Sequence, residues 1–323
     1  MLGLLQMRKI TKFAIGFGVI ASGLWLNNTS LFTTLDQQVT LLAHRGVAQT
    51  YPKDGLQNDT CTADRIHPPK HNYLENTIAS IEFAFAKGAD IVEFDIHRTT
   101  DGKLAVFHDW TIECRTEGNG VTQEQSMAYL KTLDIGYGYT ADGGKTFPFR
   151  GKYVGMMPEI SEIFEKFPNK KFLINIKSNN LAEAKMLSNK IKTLPKTQQA
   201  KLMIYGGKTK LHIQLNADLP DMVTMSKPGF KACAKDYMLI GWSGFIPESC
   251  KNNILLIPNN LKSIVWGWPN KFIKRMTDVN TSVFLIDDYN GSNRSKGLPT
   301  DKAKALIAAG YKGGIWTDDI DEF

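Results

Sequence analysis

The chain of 323 residues has only four cysteines, Cys61, Cys114, Cys233 and Cys250, and no two of them stand as C-x-x-C. That spacing argues against a structural zinc site, whose thiolates come in close pairs. No cysteine precedes Cys61, so no lipoprotein anchor is expected. Runs of one charge are also missing. Lys+Arg 39 against Asp+Glu 32 leaves a net charge of +7, but the basic residues form no block and no patch interleaved with aromatics. The charge therefore reads as a mild pull on anionic substrates or membrane surfaces, and a nucleic-acid partner is not expected. With 42% hydrophobic and 22% charged residues the chain is globular, long enough for one large core or two small ones. Nothing in it sets an oligomeric state.

A full-length membrane span is lacking too. Arg8, Lys9 and Lys12 precede the apolar run 13–26, FAIGFGVIASGLWL. At about 1.5 Å per helical residue the run covers roughly 21 Å, short of a hydrocarbon core of about 30 Å. Residues 1–30 are expected to be an export signal, with Ala21-Ser22-Gly23 offering small residues for cleavage. Because Leu24-Trp25-Leu26 continues apolar beyond them, an uncleaved anchor tethering the chain to a membrane through residues 13–26 is the alternative. Either way the basic end stays inside and the bulk goes out, to the periplasm or the exterior. An even number of cysteines in an exported chain reads as disulfides. Three connectivities are open, and Cys61 with Cys114 and Cys233 with Cys250 is favoured, because each pair joins loops close in sequence or close to the reactive stretch described next.

That stretch is residues 88–109, GADIVEFDIHRTTDGKLAVFHD. Ile91 to Ile96 reads as a buried strand, and the period of 2 puts Glu93 and Asp95 on one face, where two carboxylates call for a cation. His97 shares that face, with substrate contact and a supporting role both open. Asp101-Gly102 is a hairpin signal, and the run Leu104 to Phe107 returns His108-Asp109 toward the same end of the strand.

From Val39 onward apolar strand-like runs alternate with helical stretches. Strands are expected at Thr40–Ala43, Ile91–Ile96, Lys171–Ile176, Leu202–Tyr205, Met222–Met225, Ser263–Trp266, Ser282–Ile286 and Gly314–Thr317. Between them lie helical patterns such as Leu181–Thr193, Asn270–Asp278 and Asp301–Ala309, and one that Asn76 caps and that runs through Lys87. Segment 110–157 reads as an inserted excursion ahead of a helix at Pro158–Phe167. Eight strands alternating with helices predict a (β/α)8 TIM barrel over residues 39–323, with an insertion after the second strand. The runner-up is a doubly wound open sheet. The barrel is preferred because His44, Glu93, Asp95, Asn175, Lys177, Trp266 and Thr317-Asp318 all fall at the C-terminal ends of strand candidates, the active rim of a barrel.

The ordered residues Glu93-x-Asp95, Thr99-x-Asp101-Gly102 and His108-Asp109, preceded by His44-Arg45-Gly46 and Glu75-Asn76-Thr77, resemble the glycerophosphodiester phosphodiesterase family, and Thr317-Asp318 resembles its closing strand. The resemblance implies a metal-dependent hydrolase on a TIM barrel that cleaves glycerophosphodiesters to sn-glycerol 3-phosphate and an alcohol. It assigns His44 and His108 as the catalytic acid/base pair, Arg45 to the phosphate, and Glu93 and Asp95 to the metal. The third ligand of the pattern is a carboxylate two residues before a lysine. Here Lys177 is kept and Asn175 stands in the acid's place, bringing a carbonyl oxygen and no charge.

The chemistry agrees with these roles. A phosphodiester resists attack because it is anionic, so a site needs a positive field at the phosphoryl oxygens and two proton-transfer groups. Arg45 as a planar donor, Lys177 as a point charge and a divalent ion supply the field. All-oxygen ligation suits Mg2+ or Ca2+ better than Zn2+. Trp266 is the expected wall of the substrate cleft, while His67, His71 and His212 read as surface or packing residues. Two other functions stay open: a catalytically silent barrel that binds phosphodiester head groups, and a phospholipase D-like activity on lysolipids.

Overall fold

The computed structural model describes residues 15–16, 18–57, 60–291 and 296–323. Arg8, Lys9, Lys12 and Phe13 of the expected export signal lie outside the described residues. Residues 18–28 are helical, and among the described residues no helix is long and apolar enough to cross a membrane.

Nine strands form one sheet: β1 (Thr40–Ala43), β2 (Ile91–Arg98), β3 (Leu104–Val106), β4 (Lys171–Ile176), β5 (Leu202–Gly206), β6 (Val223–Met225), β7 (Ile254–Pro258), β8 (Ser282–Ile286) and β9 (Gly314–Thr317). The order is β6-β5-β4-β2-β1-β9-β8-β7, with β3 antiparallel on β2. All other pairings are parallel, and β1 joins β9 through Ala43 opposite Thr317. The result is a nearly closed eight-stranded parallel barrel, with no ladder between β6 and β7 among the described residues. Leu42, Ile91, Leu173, Leu256, Phe284 and Trp316 fill its interior. A second layer, including Phe94, Phe172, Ile174 and Ile204, meets the surrounding helices. These strands are buried on both faces, so they read as near-continuous apolar runs.

Two expectations need correction. No strand lies at Ser263–Trp266. The seventh strand position of the barrel is taken by β7, whose Ile254 to Ile257 are all buried, while Asn259–Ile264 forms a 3-10 turn. Burial on both faces selects the continuous run ILLI over SIVW, which follows an Asn-Asn turn signal and is largely exposed. Asn76 is likewise not the cap of the first barrel helix, Ile78–Ala86. Thr77 is, accepting from the Ser80 amide in a capping box. Asn76 instead takes the left-handed conformation, φ 59°, and turns inward.

The expected insertion is present. Residues 107–157 leave β3 and pack over a core, including Phe107, Ile112, Leu130, Phe149 and Met157, that they share with Ala63, Ile66 and Leu74 of the preceding loop and Ala105 of β3. Both favoured disulfides form, Cys61–Cys114 with Cα atoms 5.4 Å apart and Cys233–Cys250 with Cα atoms 4.6 Å apart. The first stitches the long 47–74 loop to the insertion over a sequence separation of 53. On the chain-entropy account a loop of that length stabilises the fold by about 4 kcal/mol. Replacing Cys61 and Cys114 together by alanine should lower the denaturant midpoint by the amount that corresponds to that loss, with a steeper slope because the uncrosslinked chain unfolds to a more expanded state. A midpoint shift below a quarter of that would show that the bridge restrains little of the unfolded chain.

Candidate active site

Parallel register sets the floor of the site. Asp95 on β2 lies opposite Asn175 on β4, which lies opposite Tyr205 on β5. Glu93, Asp95 and His97 share the inward face of β2 and are fully buried. From β1 the chain turns sharply through Arg45, φ 58°, and Gly46, φ 77°. A Cβ at Gly46 would lie 2.6 Å from the Ser80 hydroxyl, so only glycine lets the turn sit on the helix behind it. The turn is held from both sides, since the Arg45 amide donates to Glu93 Oε2 at 3.0 Å and the Arg45 carbonyl accepts from the Asn76 amide at 2.9 Å.

Asp95 is surrounded by donors. Asn76 Nδ2 donates to it at 3.1 Å, Asn175 Nδ2 at 2.8 Å, and Asn76 Oδ1 accepts the Asp95 amide at 3.0 Å. Lys177 Nζ stands 3.6 Å away, and Arg45 Nε stands 3.2 Å away at an angle that makes no hydrogen bond, leaving that buried N–H without an acceptor. Burial would raise the Asp95 carboxyl, but Lys177 and Arg45 outweigh it and hold the group far below the carboxylate range. Glu93 goes the other way. Burial, with Asp95 beside it, pushes it up to about 7 even though Tyr205 donates to it at 2.7 Å.

Each of the two expected histidines has its own carboxylate. His44 Nδ1–H donates to Asp318 Oδ1 at 2.8 Å, and its Nε2 lies 3.9 Å from Glu93. Lys53 pairs with the other Asp318 oxygen at 2.5 Å. His108 Nδ1–H donates to Asp109 Oδ1 at 2.6 Å. Burial, then Arg45 and Lys177, push His108 down to about 4, so at neutral pH its Nε2 carries a lone pair. Asp109 is gripped in turn by Arg115 Nε at 2.7 Å. Arg115 also pairs with Glu75 at 3.2 Å, and Glu75 pairs with Arg45 at 2.9 Å. Because Arg115 Nη2 donates to the Thr62 hydroxyl at 2.9 Å, the disulfide joining the neighbouring residues Cys61 and Cys114 fixes both ends of that contact.

An open cleft of about 580 Å³ lies over these groups, lined by His44, Arg45, His108, Trp110, Lys177 and Asp318 among others. A larger opening of about 680 Å³ sits at the opposite end, beside Lys171, Leu202 and Ser282. It holds no histidine, so chemistry and not volume picks the site. Of the expected residues, the fold brings together His44, Arg45, Glu93, Asp95, His108, Asn175 and Lys177. Trp266 is not among them. Without a strand to carry it to the rim, it lies on the outer surface with its indole N–H on the Met238 carbonyl at 3.0 Å. Trp110, in the residue after His108-Asp109, forms the aromatic wall instead. His97 makes no opening to the cleft. It donates to the His108 carbonyl at 3.2 Å and accepts from Gln123 at 3.2 Å, which anchors the His108 loop.

Residues 44–214, more than half of the chain, match the model of the glycerophosphoryl diester phosphodiesterase family. The chain belongs to that family. It is 37% identical over 106 residues to a glycerophosphodiester phosphodiesterase of Caldanaerobacter subterraneus subsp. tengcongensis, covering 32% of this chain and 40% of the relative. It is 27% identical over 162 residues to lysophospholipase D GDPD1 of Homo sapiens, covering 48% of each. The chain thus spans less than half the length of these relatives. Its fold is similar to that of an Oleispira antarctica phosphodiesterase solved with the product sn-glycerol-3-phosphate, with a TM-score of 0.55 at 17% identity, over 88% of this chain and 95% of that one.

A divalent ion can be tested against the side chains themselves. Among the described residues no three His, Cys, Asp or Glu side chains are grouped to hold a metal. The donor set available is two carboxylates on one strand face and one amide, and all are hard oxygen ligands once the Asn175 amide is turned half a revolution. Glu93, an acid held up by burial and a like charge, is the group whose charge lacks a counterpart. The set fits a hard cation, with one formal charge fewer than three carboxylates would bring.

His97 supplies a test of the electrostatics. Burial pushes it down to about 4 from its ordinary value of 6.5. As pH falls below 6.5 the unfolded chain takes up a proton that the folded chain refuses until about pH 4. Stability is therefore full above 6.5 and is lost progressively between the two values. His97→Gln keeps an amide beside Gln123 and the His108 carbonyl but cannot titrate. Between neutral pH and pH 4 its unfolding midpoint should drop less than that of the unmodified protein; equal drops would remove His97 from the acid response.

Proposed function

We propose that the chain hydrolyses glycerophosphodiesters to sn-glycerol 3-phosphate and an alcohol, with His44 and His108 as the acid/base pair. The observation that carries this reading is two histidines, each oriented by its own carboxylate, lining one cleft together with Arg45 and Lys177. An anionic phosphoryl oxygen in that cleft would meet the positive field of Arg45 and Lys177. His108, neutral and held through Nδ1, takes the nucleophile's proton at Nε2 as the nucleophile bonds to phosphorus. His44 delivers a proton from Nε2 to the departing alkoxide as the P–O bond breaks. Asp318 and Asp109 set the ring tautomers and are positioning residues. Glu93, Asp95 and Asn175 are the residues that would hold Mg2+ or Ca2+, which when bound supplies Lewis acidity at the phosphoryl oxygens. Location outside the cytoplasm accords with two disulfides and no free cysteine.

A second reading has support from the similarity to a human lysophospholipase D: an acylated glycerophosphodiester as substrate. The full chain incubated with glycerophosphocholine or its lysolipid, with divalent ion or chelator, separates the cases. Release of choline and glycerol 3-phosphate from the soluble diester supports the main reading, and turnover of the lysolipid alone supports the second. Binding of diesters with no turnover under any metal would make the barrel catalytically silent.

His44→Ala and His108→Ala should each lower kcat by roughly two to four orders of magnitude, the range for lost acid-base catalysis. Near-normal turnover in either variant would take that residue out of the mechanism. Asn175→Glu restores a third carboxylate, and affinity for Mg2+ or Ca2+ should rise on the order of tenfold as ligand charge increases. Melting temperature titrated against each ion reads this without reference to turnover, and an unchanged titration would mean that Asn175 does not face a bound ion.

A further inference from the structure

We propose that helix 18–28 stays on the exported chain, as in the uncleaved alternative, and that it and the adjoining edge of the barrel, Leu239, Ile240, Trp242 and Phe245, form one surface that docks on a lipid bilayer. The helix is the first observation. Residues 18–26 are exposed all around, although Val19, Ile20, Leu24, Trp25 and Leu26 distribute apolar side chains over every side of it. A short helix apolar on all faces has no source of stability in water and belongs in an apolar surrounding.

The second observation is how the helix is fastened. Its C-terminal end is gripped by the buried Arg275, whose Nη2 donates to the Asn27 carbonyl at 2.7 Å and whose Nη1 donates to Asn28 Oδ1 at 3.2 Å. A cation at a helix C-terminus also opposes the helix dipole. The side-chain amides of Asn27 and Asn28 both donate to the Trp242 carbonyl, at 3.0 and 2.7 Å, and the Ser30 hydroxyl donates to the Gly267 carbonyl at 2.9 Å. The helix is thereby locked beside a cluster of large apolar side chains on the barrel surface, with Leu239 and Phe245 each 63% exposed. The Trp242 indole N–H bonds the Leu239 carbonyl at 3.0 Å, so its ring is free to lie at an interface.

Charge selects lipid as the occupant. Arg8, Lys9 and Lys12 precede the helix in sequence. Along the helix Lys227–Ile240, Lys231 and Lys235 are exposed at four-residue steps before Leu239, so basic side chains border the apolar cluster on the same face. Apolar side chains bordered by lysines match a bilayer with anionic head groups.

The test uses the full chain, hydrogen exchange by mass spectrometry, and vesicles of equal parts phosphatidylcholine and phosphatidylglycerol. Vesicles should slow exchange in residues 18–28 and also in 238–246. Trp242→Ser combined with Phe245→Ser should weaken vesicle partitioning by about tenfold or more, given the transfer free energy of two aromatic rings, and leave turnover of a soluble diester unchanged. Protection confined to 18–28, or equal partitioning of the variant, would overturn the barrel's part in docking. Protection of 238–246 that appears without lipid and grows with protein concentration would assign the surface to a second copy of the chain and overturn the proposal.

Discussion

Glu75 sits buried between two arginines, and the active face of the barrel depends on it. Burial would drive this carboxyl up, but Arg115 and Arg45 outweigh that and keep it ionised. An unpaired charge at this depth would cost several kcal/mol, so the three side chains hold one another in place. Arg45 then faces Asp95 and the cleft, and Arg115 faces Asp109 and through it His108. The geometry of Arg45 and that of His108 are thus set by a single buried acid on the loop ahead of the first barrel helix.

The disulfide and the insertion serve the same end. Arg115 belongs to the insertion, which packs on the preceding loop through a shared apolar core. Cys61–Cys114 fastens it to the loop that carries Thr62, and His97 holds the His108 carbonyl from below. An inserted segment with no barrel strand of its own can in this way deliver Asp109 and Trp110 to the mouth with little freedom.

The two carboxylates of β2 are unequal despite sharing a face. Asp95 is ringed by cations and amides, whereas Glu93 has a phenol, a backbone amide and a histidine at 3.9 Å. The asymmetry follows from register, because Asp95 is level with Asn175 and close to Lys177, one layer nearer the rim. With asparagine in that layer, the charge on a bound cation would be balanced mainly by Glu93 and Asp95.

The sequence alone determined an alternation of parallel strands and helices, because strands buried on both faces are short apolar runs that recur between helical patterns, and the reactive residues at strand ends favoured a barrel over an open sheet. It also determined the reactive stretch, because strand alternation places Glu93 and Asp95 together and an Asp-Gly turn returns His108. Both disulfide pairings were favoured among three connectivities from an even cysteine count, Cys233–Cys250 by closeness in sequence and Cys61–Cys114 by closeness to the reactive stretch. Only the tertiary structure decided the rest. Ser263–Trp266 and Ile254–Pro258 are both apolar runs, and choosing between them needs the burial that neighbouring strands impose. Asn76 looks like a helix cap locally, and its turn toward Asp95 depends on a partner nineteen residues away. Arg115 and Lys53 are ordinary charged residues in sequence, and Asp318, although marked by its place at the end of the closing strand, has no partner assigned to it by sequence. They become orienting groups because closure of the barrel brings β9 beside β1 and the disulfide brings the insertion over the mouth, and no local pattern encodes contacts made across such distances along the chain.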